Sequence, residues 1–307
     1  MTHTGKLASM AEAARAVPDG ASLTFSGFGH SGHPMAFVRE LVRQGRGGFT
    51  LHAVAECWPA EFLTGAGRVR RINLSNLMFE GLGRCRAISR AVETGAVAVD
   101  DHSHLALWMR LSAAGWDVPF LPLRSMAGTD LARIQSGAQP KYAQVESPFG
   151  DGPVGVVSPL QPDVAVIHVN KADDQGNGVV YGAISVIDAQ VRSAKTVIVT
   201  AERIVPADEI VADNQLVAVP GILVDAVVHA PFGSHPGAMY REYDEDVEHM
   251  AQYYAASRDE RTLAAYFDDY VLGTADHDAY LARFGARRLF GLIVDPALQV
   301  ARRGEGA

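Results

Sequence analysis

The chain has 307 residues, of which 48% are hydrophobic and 20% are charged, and its formal net charge at pH 7 is −8. This composition allows a sizeable buried core, whereas the acidic balance gives no support for nucleic-acid binding. The 2 cysteines form no CxxC pair, which fits a reduced, cytoplasmic protein. Residues 1–15 lack a signal-peptide core, and no apolar run approaches the roughly 18 residues of a membrane helix, so we expect no membrane partner.

Short apolar runs rich in β-branched residues recur along the chain and predict strands. They lie at residues 23–25, 51–55, 71–77, 97–99, 164–169, 196–200, 216–219 and 222–228. Several are apolar at consecutive positions, which is typical of strands buried on both faces. Helical stretches lie between the early strands, at residues 35–44, 59–65, 84–94 and 105–114. The alternation predicts an α/β fold with a mostly parallel, helix-covered sheet.

The second half of the chain departs from this alternation in two places. Residues 124–162 are rich in Gly, Pro, Ser and Gln, and we expect a long functional loop there. Residues 240–286 are predicted to form a helical C-terminal extension, and the apolar run 289–294 fits either a strand or a helix. We expect residues 1–307 to form a single domain.

A glycine-rich segment connects the first predicted strand to the first helix after it. Asp19-Gly20 precedes the strand, glycines follow at 27, 29 and 32, and Pro34 opens the helix. Glycine permits positive φ and close backbone approach, and proline suits the first helical turn. Such a loop can present amides to an anion or to a developing oxyanion.

The same glycines also match the consensus pattern of a dinucleotide-binding loop. Gly27-x-Gly29-x-x-Gly32 follows a strand, and Glu56 follows the second strand, where that motif places an acidic residue. Pro34 fits less well, because it removes an amide from the helix start. A nicotinamide-dependent oxidoreductase therefore stays open as an alternative.

The whole phrase from Asp19 to Pro34 resembles the signature of family I coenzyme A transferases, in the alpha subunit. That signature runs Asp-Gly, apolar residues, Gly-Gly-Phe and Gly-x-Pro, and this chain departs from it at Thr24 and Ser26. Companion phrases at residues 79–83, 118–130, 162–177 and 224–236 resemble the glutaconate-type branch. The resemblance implies the fold of that family.

It also implies a chemistry, in which an active-site glutamate attacks an acyl-CoA and a glutamyl-CoA thioester then passes CoA to a second carboxylic acid. The Ser-Glu-Asn-Gly phrase that carries this glutamate in the beta part is absent here, so the resemblance implies a beta-subunit partner. It further implies that acyl-CoA is a substrate with no permanently bound cofactor, and that the glycine loop helps to hold it. The loop residues are Ser26, Gly27, Phe28, Gly29, His30, Ser31 and Gly32.

Glu56 and Glu80 are the acids of this chain that could be mistaken for the nucleophile, and each is more simply a loop or helix-start residue. Two further functions stay open, a CoA-ester or ring-opening hydrolase of the same fold and a ligand-binding subunit without chemistry.

Several histidines and one acidic turn invite other interpretations. His30 and His33 either touch an anionic group or are exposed loop residues. His102-x-His104 imitates a metal pair but lacks a third ligand at a defined spacing, so we expect no metal site. The segment 173–178 predicts a hairpin turn rather than a calcium loop, because its twelfth position is Ile184.

Overall fold

Strands and helices alternate along most of the chain in this computed structural model, which describes residues 5–136, 139–150, 152–295 and 300–301. The strands are β1 (Ser22–Phe25), β2 (Phe49–Ala53), β3 (Val69–Leu74), β4 (Met78–Phe79), β5 (Gly83–Arg84), β6 (Ala98–Asp101), β7 (Leu121–Leu123), β8 (Tyr142–Glu146), β9 (Pro153–Val157), β10 (Val164–Ala172), β11 (Gly178–Val179), β12 (Thr196–Ile204), β13 (Val217–Val219), β14 (Ala226–His229), β15 (Val294–Asp295) and β16 (Val300–Ala301).

The helices are α1 (Met10–Arg15), α2 (Met35–Arg43), α3 (Trp58–Gly65), α4 (Arg86–Glu93), α5 (His104–Gly115), α6 (Asp130–Gln135), α7 (Ile187–Ser193), α8 (Ala207–Ala212), α9 (Val247–Ala256), α10 (Glu260–Phe267), α11 (His277–Ala282) and α12 (Gly285–Leu292). Within the described part of the chain, none of the helices combines the length and hydrophobicity needed to span a bilayer.

A parallel sheet in the order β14-β12-β10-β1-β2-β3-β6 forms the centre of the fold. The short strands β11 and β13 extend it antiparallel from the end of β10. From β1 the chain proceeds outward through β2, β3 and β6, whereas from β10 it proceeds the other way through β12 and β14. The strand order therefore reverses between β1 and β10, and the loops that follow these two strands diverge to leave a crevice. The predicted mostly parallel sheet is confirmed.

Apolar side chains cover both faces of this sheet, as the consecutive apolar runs predicted. All 9 residues of β10 are buried. One face packs on α2 and α3, where Phe25 and Leu51 share a core with Phe37 and Leu41. The other face packs on α7, where Ile167 and Val199 share a core with Ile187. Burial on both sides fixes the ends of β1 and β10, and hence the crevice, in one position.

The predicted long loop at residues 124–162 is wrong. The described residues there form α6, β8 and β9, while residues 137, 138 and 151 lie outside the described part. Strands β7, β9 and β8 make a small antiparallel sheet, which packs through Tyr142 and Val157 onto Ala106 of α5. Only Tyr142 of β8 is buried, so this strand lacks the apolar run by which the others were predicted.

Smaller differences have local causes. The predicted strand 222–228 begins only at Ala226, because Gly221–Leu223 forms a 3₁₀ turn after Pro220. The helical extension is confirmed from Val247 onward, whereas residues 240–246 are irregular. The run 289–294 divides between the end of α12 and the start of β15.

Candidate active site

The crevice outside the carboxyl ends of β1 and β10 is a cavity of about 40 Å³. The glycine loop lines one side, and His168 and Asn170 of β10 line another. Open α/β sheets bind ligands at this type of position. Of the predicted loop residues, those that line the crevice are Gly27, Phe28, Ser31 and Gly32.

His33 lies inside the glycine loop and sets its shape. Its Nδ1 lies 3.0 Å from the Ser26 carbonyl oxygen, and its Nε2 lies 2.9 Å from that of Gly29. Burial lowers the pKa of His33 to about 4, so the ring is neutral at pH 7 and donates to one of these carbonyls at a time. His33 is fully buried and His30 is 8% exposed, so of the two interpretations of these histidines, that of exposed loop residues is wrong.

The ring of His33 leaves no space for a side chain at position 27. Gly27 has a φ of +124°, and a Cβ atom built there would lie 2.0 Å from His33 Nδ1. Gly29 and Gly32 also have positive φ, of +58° and +73°. The sequence therefore predicted correctly that this loop depends on glycine.

Most amides of the loop donate to carbonyl oxygens of the loop itself or of neighbouring segments. The Phe28 amide donates to the Ser31 carbonyl at 2.9 Å, and the Gly32 amide donates to Ala238 at 3.0 Å. Within the described residues, the amides of Gly27 and His30 have no protein acceptor. The loop is thus rigid and self-bonded, and it can offer a ligand fewer donors than the glycine pattern suggested.

Ser26, where the family signature has glycine, connects the loop to the sheet. Its hydroxyl donates to the Gly32 carbonyl and accepts from the His168 amide, each at 2.8 Å. The side chain is buried and is absent from the crevice lining. Ser26 therefore connects the glycine loop to β10 through hydrogen bonds and does not contact the crevice.

Glu202 of β12 is a buried carboxylate that organises the loop on the far side of the crevice. It accepts hydrogen bonds from the Phe232 amide at 2.6 Å, the Gly233 amide at 3.0 Å and the Tyr243 hydroxyl at 2.5 Å. His168 Nε2 lies 2.8 Å from the same carboxylate. The sequence reasoning missed this residue, although a carboxylate at the end of an apolar strand is a signal for a buried polar partner.

Replacing Glu202 by glutamine should lower the free energy of unfolding by about 3 kcal/mol, because an amide group would face donors that now meet a carboxylate. Urea unfolding followed by circular dichroism measures the change. The control is Glu248→Gln, since the Glu248 side chain is 85% exposed. Equal stability of the two variants would show that the Glu202 hydrogen bonds contribute nothing net.

Glu56 follows β2 and lies beside the glycine loop. The Gly29 amide donates to Ala55, and the Gly29 and Glu56 backbones pair. Glu56 is 2% exposed, and its Oε2 atom has no hydrogen-bond partner. Burial raises the pKa of Glu56 well above its usual range, which favours the protonated form of the carboxyl group.

Glu80 also lies beside the glycine loop, but unlike Glu56 its side chain is exposed to solvent. It is exposed, in the turn between β4 and β5, and a Cβ atom built on Gly29 would lie 3.2 Å from its Oε2. The structure therefore brings both predicted acidic residues next to Gly29, Glu56 through its backbone with a buried side chain and Glu80 through a carboxylate that is open to solvent.

The remaining candidates lie away from the crevice. Among the described residues, no group of His, Cys, Asp and Glu side chains has an arrangement that could hold a metal ion. Asp173 accepts from the Gln175 and Asn177 amides in a turn between β10 and β11, so the predicted hairpin is confirmed.

The chain matches the coenzyme A transferase family over residues 7–230. It belongs to the coenzyme A transferase family. This membership confirms the family expected from the glycine-loop phrase and decides against the nicotinamide-dependent oxidoreductase.

Named relatives agree with this family. A 3-oxoadipate CoA-transferase subunit of Pseudomonas knackmussii is 33% identical over 88% of this chain and 94% of that protein. A glutaconate CoA-transferase subunit of Acidaminococcus fermentans is 32% identical over 93% of each. A protein of Archaeoglobus fulgidus is 36% identical over 89% of this chain, which spans 60% of the length of that protein.

The fold agrees as well. The crystal structure of glutaconate coenzyme A-transferase from Acidaminococcus fermentans superposes with a TM-score of 0.91 and 30% sequence identity, covering 97% of this chain and 98% of that chain. The CoA-transferase fold implied by the sequence is confirmed.

Proposed function

We propose that this chain is the alpha subunit of a heteromeric CoA-transferase that moves CoA between an acyl-CoA and a carboxylic acid through a glutamyl-CoA thioester. The observation that supports this most strongly is the rigid glycine loop at the reversal of strand order, in a sheet that superposes on glutaconate CoA-transferase.

The site of this chain is incomplete for such a reaction. Its crevice of about 40 Å³ is far smaller than the roughly 300–1,000 Å³ of a typical ligand pocket. Large apolar side chains stand exposed among its lining residues and beside them, with Phe28 48% exposed, Tyr240 45% and Ile184 47%. A second subunit that covers these side chains would complete the wall of the pocket.

The carboxylates next to the loop also favour a nucleophile on the partner. Burial raises the pKa of Glu56 and so favours its protonated form, and a protonated carboxyl group is a poor nucleophile. In the proposed reaction, the partner glutamate attacks the thioester carbonyl, so that a C–O bond forms and the C–S bond breaks. CoA thiolate then attacks the glutamyl carbonyl of the anhydride, which releases the first acid and leaves glutamyl-CoA.

The acceptor acid completes the transfer by the reverse of these steps, and each step passes through an oxyanion. The Gly27 amide is a donor that this chain can offer to that charge, since Gly27 lines the crevice and its amide has no protein acceptor within the described residues. A rigid loop aids this role, because donors held in place need no reorganisation as the charge develops.

Trapping of the intermediate tests the proposal. The chain, co-purified with its native partner, is incubated with glutaryl-CoA and reduced with borohydride, and peptide mass spectrometry then locates the modified glutamate. We expect the modified glutamate on the partner only. The extent of this modification should be unchanged when the chain carries Glu80→Gln or the exposed control Glu248→Gln. Modification of Glu56 or Glu80 would overturn the assignment of the nucleophile, and release of free acid without transfer to acetate would favour the hydrolase.

A further inference from the structure

A second cavity, of about 460 Å³, lies on one face of the sheet near β3 and β6. Arg71 and Asn73 of β3 and Asp100 of β6 form its floor, and Asn73 pairs in register with Asp100. Arg110 of α5 and Lys141 before β8 also line it. Ile134 and Gln135 of α6 line it too, so the segment that the sequence predicted as a loop supplies part of the wall of this cavity.

The lining carries more positive than negative charge. Arg71 and Lys141 share a single carboxylate oxygen, Oδ2 of Asp100, at 2.7 and 2.8 Å. Arg110 has no carboxylate partner among the described residues, and its Nε donates to the Ser158 carbonyl at 3.1 Å. Three cations thus face one anion in the lining, which leaves an excess of two positive charges.

Arg110 is the residue that points to a ligand. It is 6% exposed, and its Nη1 atom is buried without any hydrogen-bond partner. Burial lowers the pKa of Arg110 to about 10, so the side chain is still charged at pH 7. A buried, unpaired guanidinium is costly unless an anion binds it.

We propose that this cavity binds a small oxyanion of charge near −2, phosphate or a short dicarboxylate, with Arg110 as its main partner and Lys141 and Arg71 as additional cations. Guanidinium groups bind carboxylate and phosphate oxygens in a bidentate manner. β3, which forms part of the cavity floor, lies two strand spacings from β1 with β2 between them, which corresponds to roughly 10 Å. The site is therefore separate from the crevice at β1 and β10.

Isothermal titration calorimetry on the 307-residue chain, with inorganic phosphate and with glutarate, tests the proposal and distinguishes the two sources of the oxyanion. We expect saturable binding of at least one of them. Arg110→Met should weaken it at least about tenfold, as loss of a charge-assisted pair does. Methionine keeps much of the side-chain volume and removes an unpaired buried charge, so this variant should remain folded.

Lys141→Gln is the second variant and should weaken binding by a smaller factor. Lys195→Gln is the matched control, because Lys195 makes an exposed ion pair with Asp163 in the other half of the sheet and should bind as the unchanged chain does. Failure of both anions to saturate at about 10 mM would overturn the proposal, as would binding that is equal in all three variants.

Discussion

Gly27→Ala should reduce the proposed CoA-transferase activity by at least about 100-fold and lower the free energy of unfolding by about 3 kcal/mol. The added Cβ atom would lie 2.0 Å from His33 Nδ1 and 2.3 Å from His33 Cε1. The ring cannot turn aside, because each of its nitrogens contacts a loop carbonyl and its backbone amide donates to Ser234. The loop must therefore move, and with it the free Gly27 amide.

Two further variants separate the steric effect from backbone strain. Gly45→Ala is the matched control, because Gly45 also has a positive φ, +72°, but has no atom within 4 Å of an added Cβ. It should cost about 1 kcal/mol and leave activity unchanged. His33→Ala removes the obstructing ring, so adding Gly27→Ala to it should cost less than Gly27→Ala alone. Additive effects in this double-mutant cycle would show that His33 does not limit position 27.

The glycine loop was predictable from sequence because its requirements are local. A strand, three glycines and a proline specify where the chain turns and where the helix starts, and the positive φ values follow. The parallel sheet was predictable for a similar reason, since four consecutive apolar residues at 164–167 indicate a strand that is buried on both faces. Both predictions depend on residues that are close in sequence.

The parts that could not be predicted depend on residues far apart in the chain. The role of His33 requires Ser234, 201 positions away, and the role of Glu202 requires Tyr243 and the Phe232 amide. Nothing in the spacing of these residues shows that they meet. The prediction of a loop at 124–162 was wrong for a local reason. β8 is a mostly exposed strand, so its sequence carries no apolar run that would indicate a strand. That error also hid the cationic cavity, which needs Lys141 beside Asp100.

Buried neutral histidines should make this fold sensitive to mild acid. Burial lowers the pKa of His33 to about 4, and it lowers the pKa values of His52, His102 and His249 to about 3. For His52 and His102 the charge of Arg110 adds to the effect of burial. All four side chains are nearly inaccessible to solvent, so unfolding is required for them to take up a proton near their usual pKa of 6.5.

The sign of the effect follows from the numbers of bound protons. Between pH 6.5 and about 4 the unfolded chain binds more protons at these positions than the folded chain, so the free energy of unfolding falls as the pH falls. Each histidine contributes about 1.4 kcal/mol per pH unit, and four of them contribute about 5 kcal/mol between pH 6 and pH 5. Buried Glu56 and Glu61 act in the opposite direction, because burial raises their pKa values and the folded chain then binds the proton more readily than the unfolded chain. The four histidines outnumber these two carboxyl groups, so the free energy of unfolding should still fall below pH 6, by less than the histidines alone would give. Urea unfolding at a series of pH values measures this slope.

The contribution of one histidine to this slope can be tested at His102, which does not line the crevice. His102→Gln should reduce the slope by about 1.4 kcal/mol per pH unit, because glutamine takes up no proton in this range. The substitution breaks no hydrogen bond of the buried His102 Nε2 atom, since that atom has no partner. His229→Gln is the control, since His229 is exposed at the end of β14 and should leave the slope unchanged. A slope between pH 6.5 and 5 that is the same in His102→Gln as in the unchanged chain would show that His102 takes up its proton in the folded chain, and would contradict its assignment as a neutral core residue.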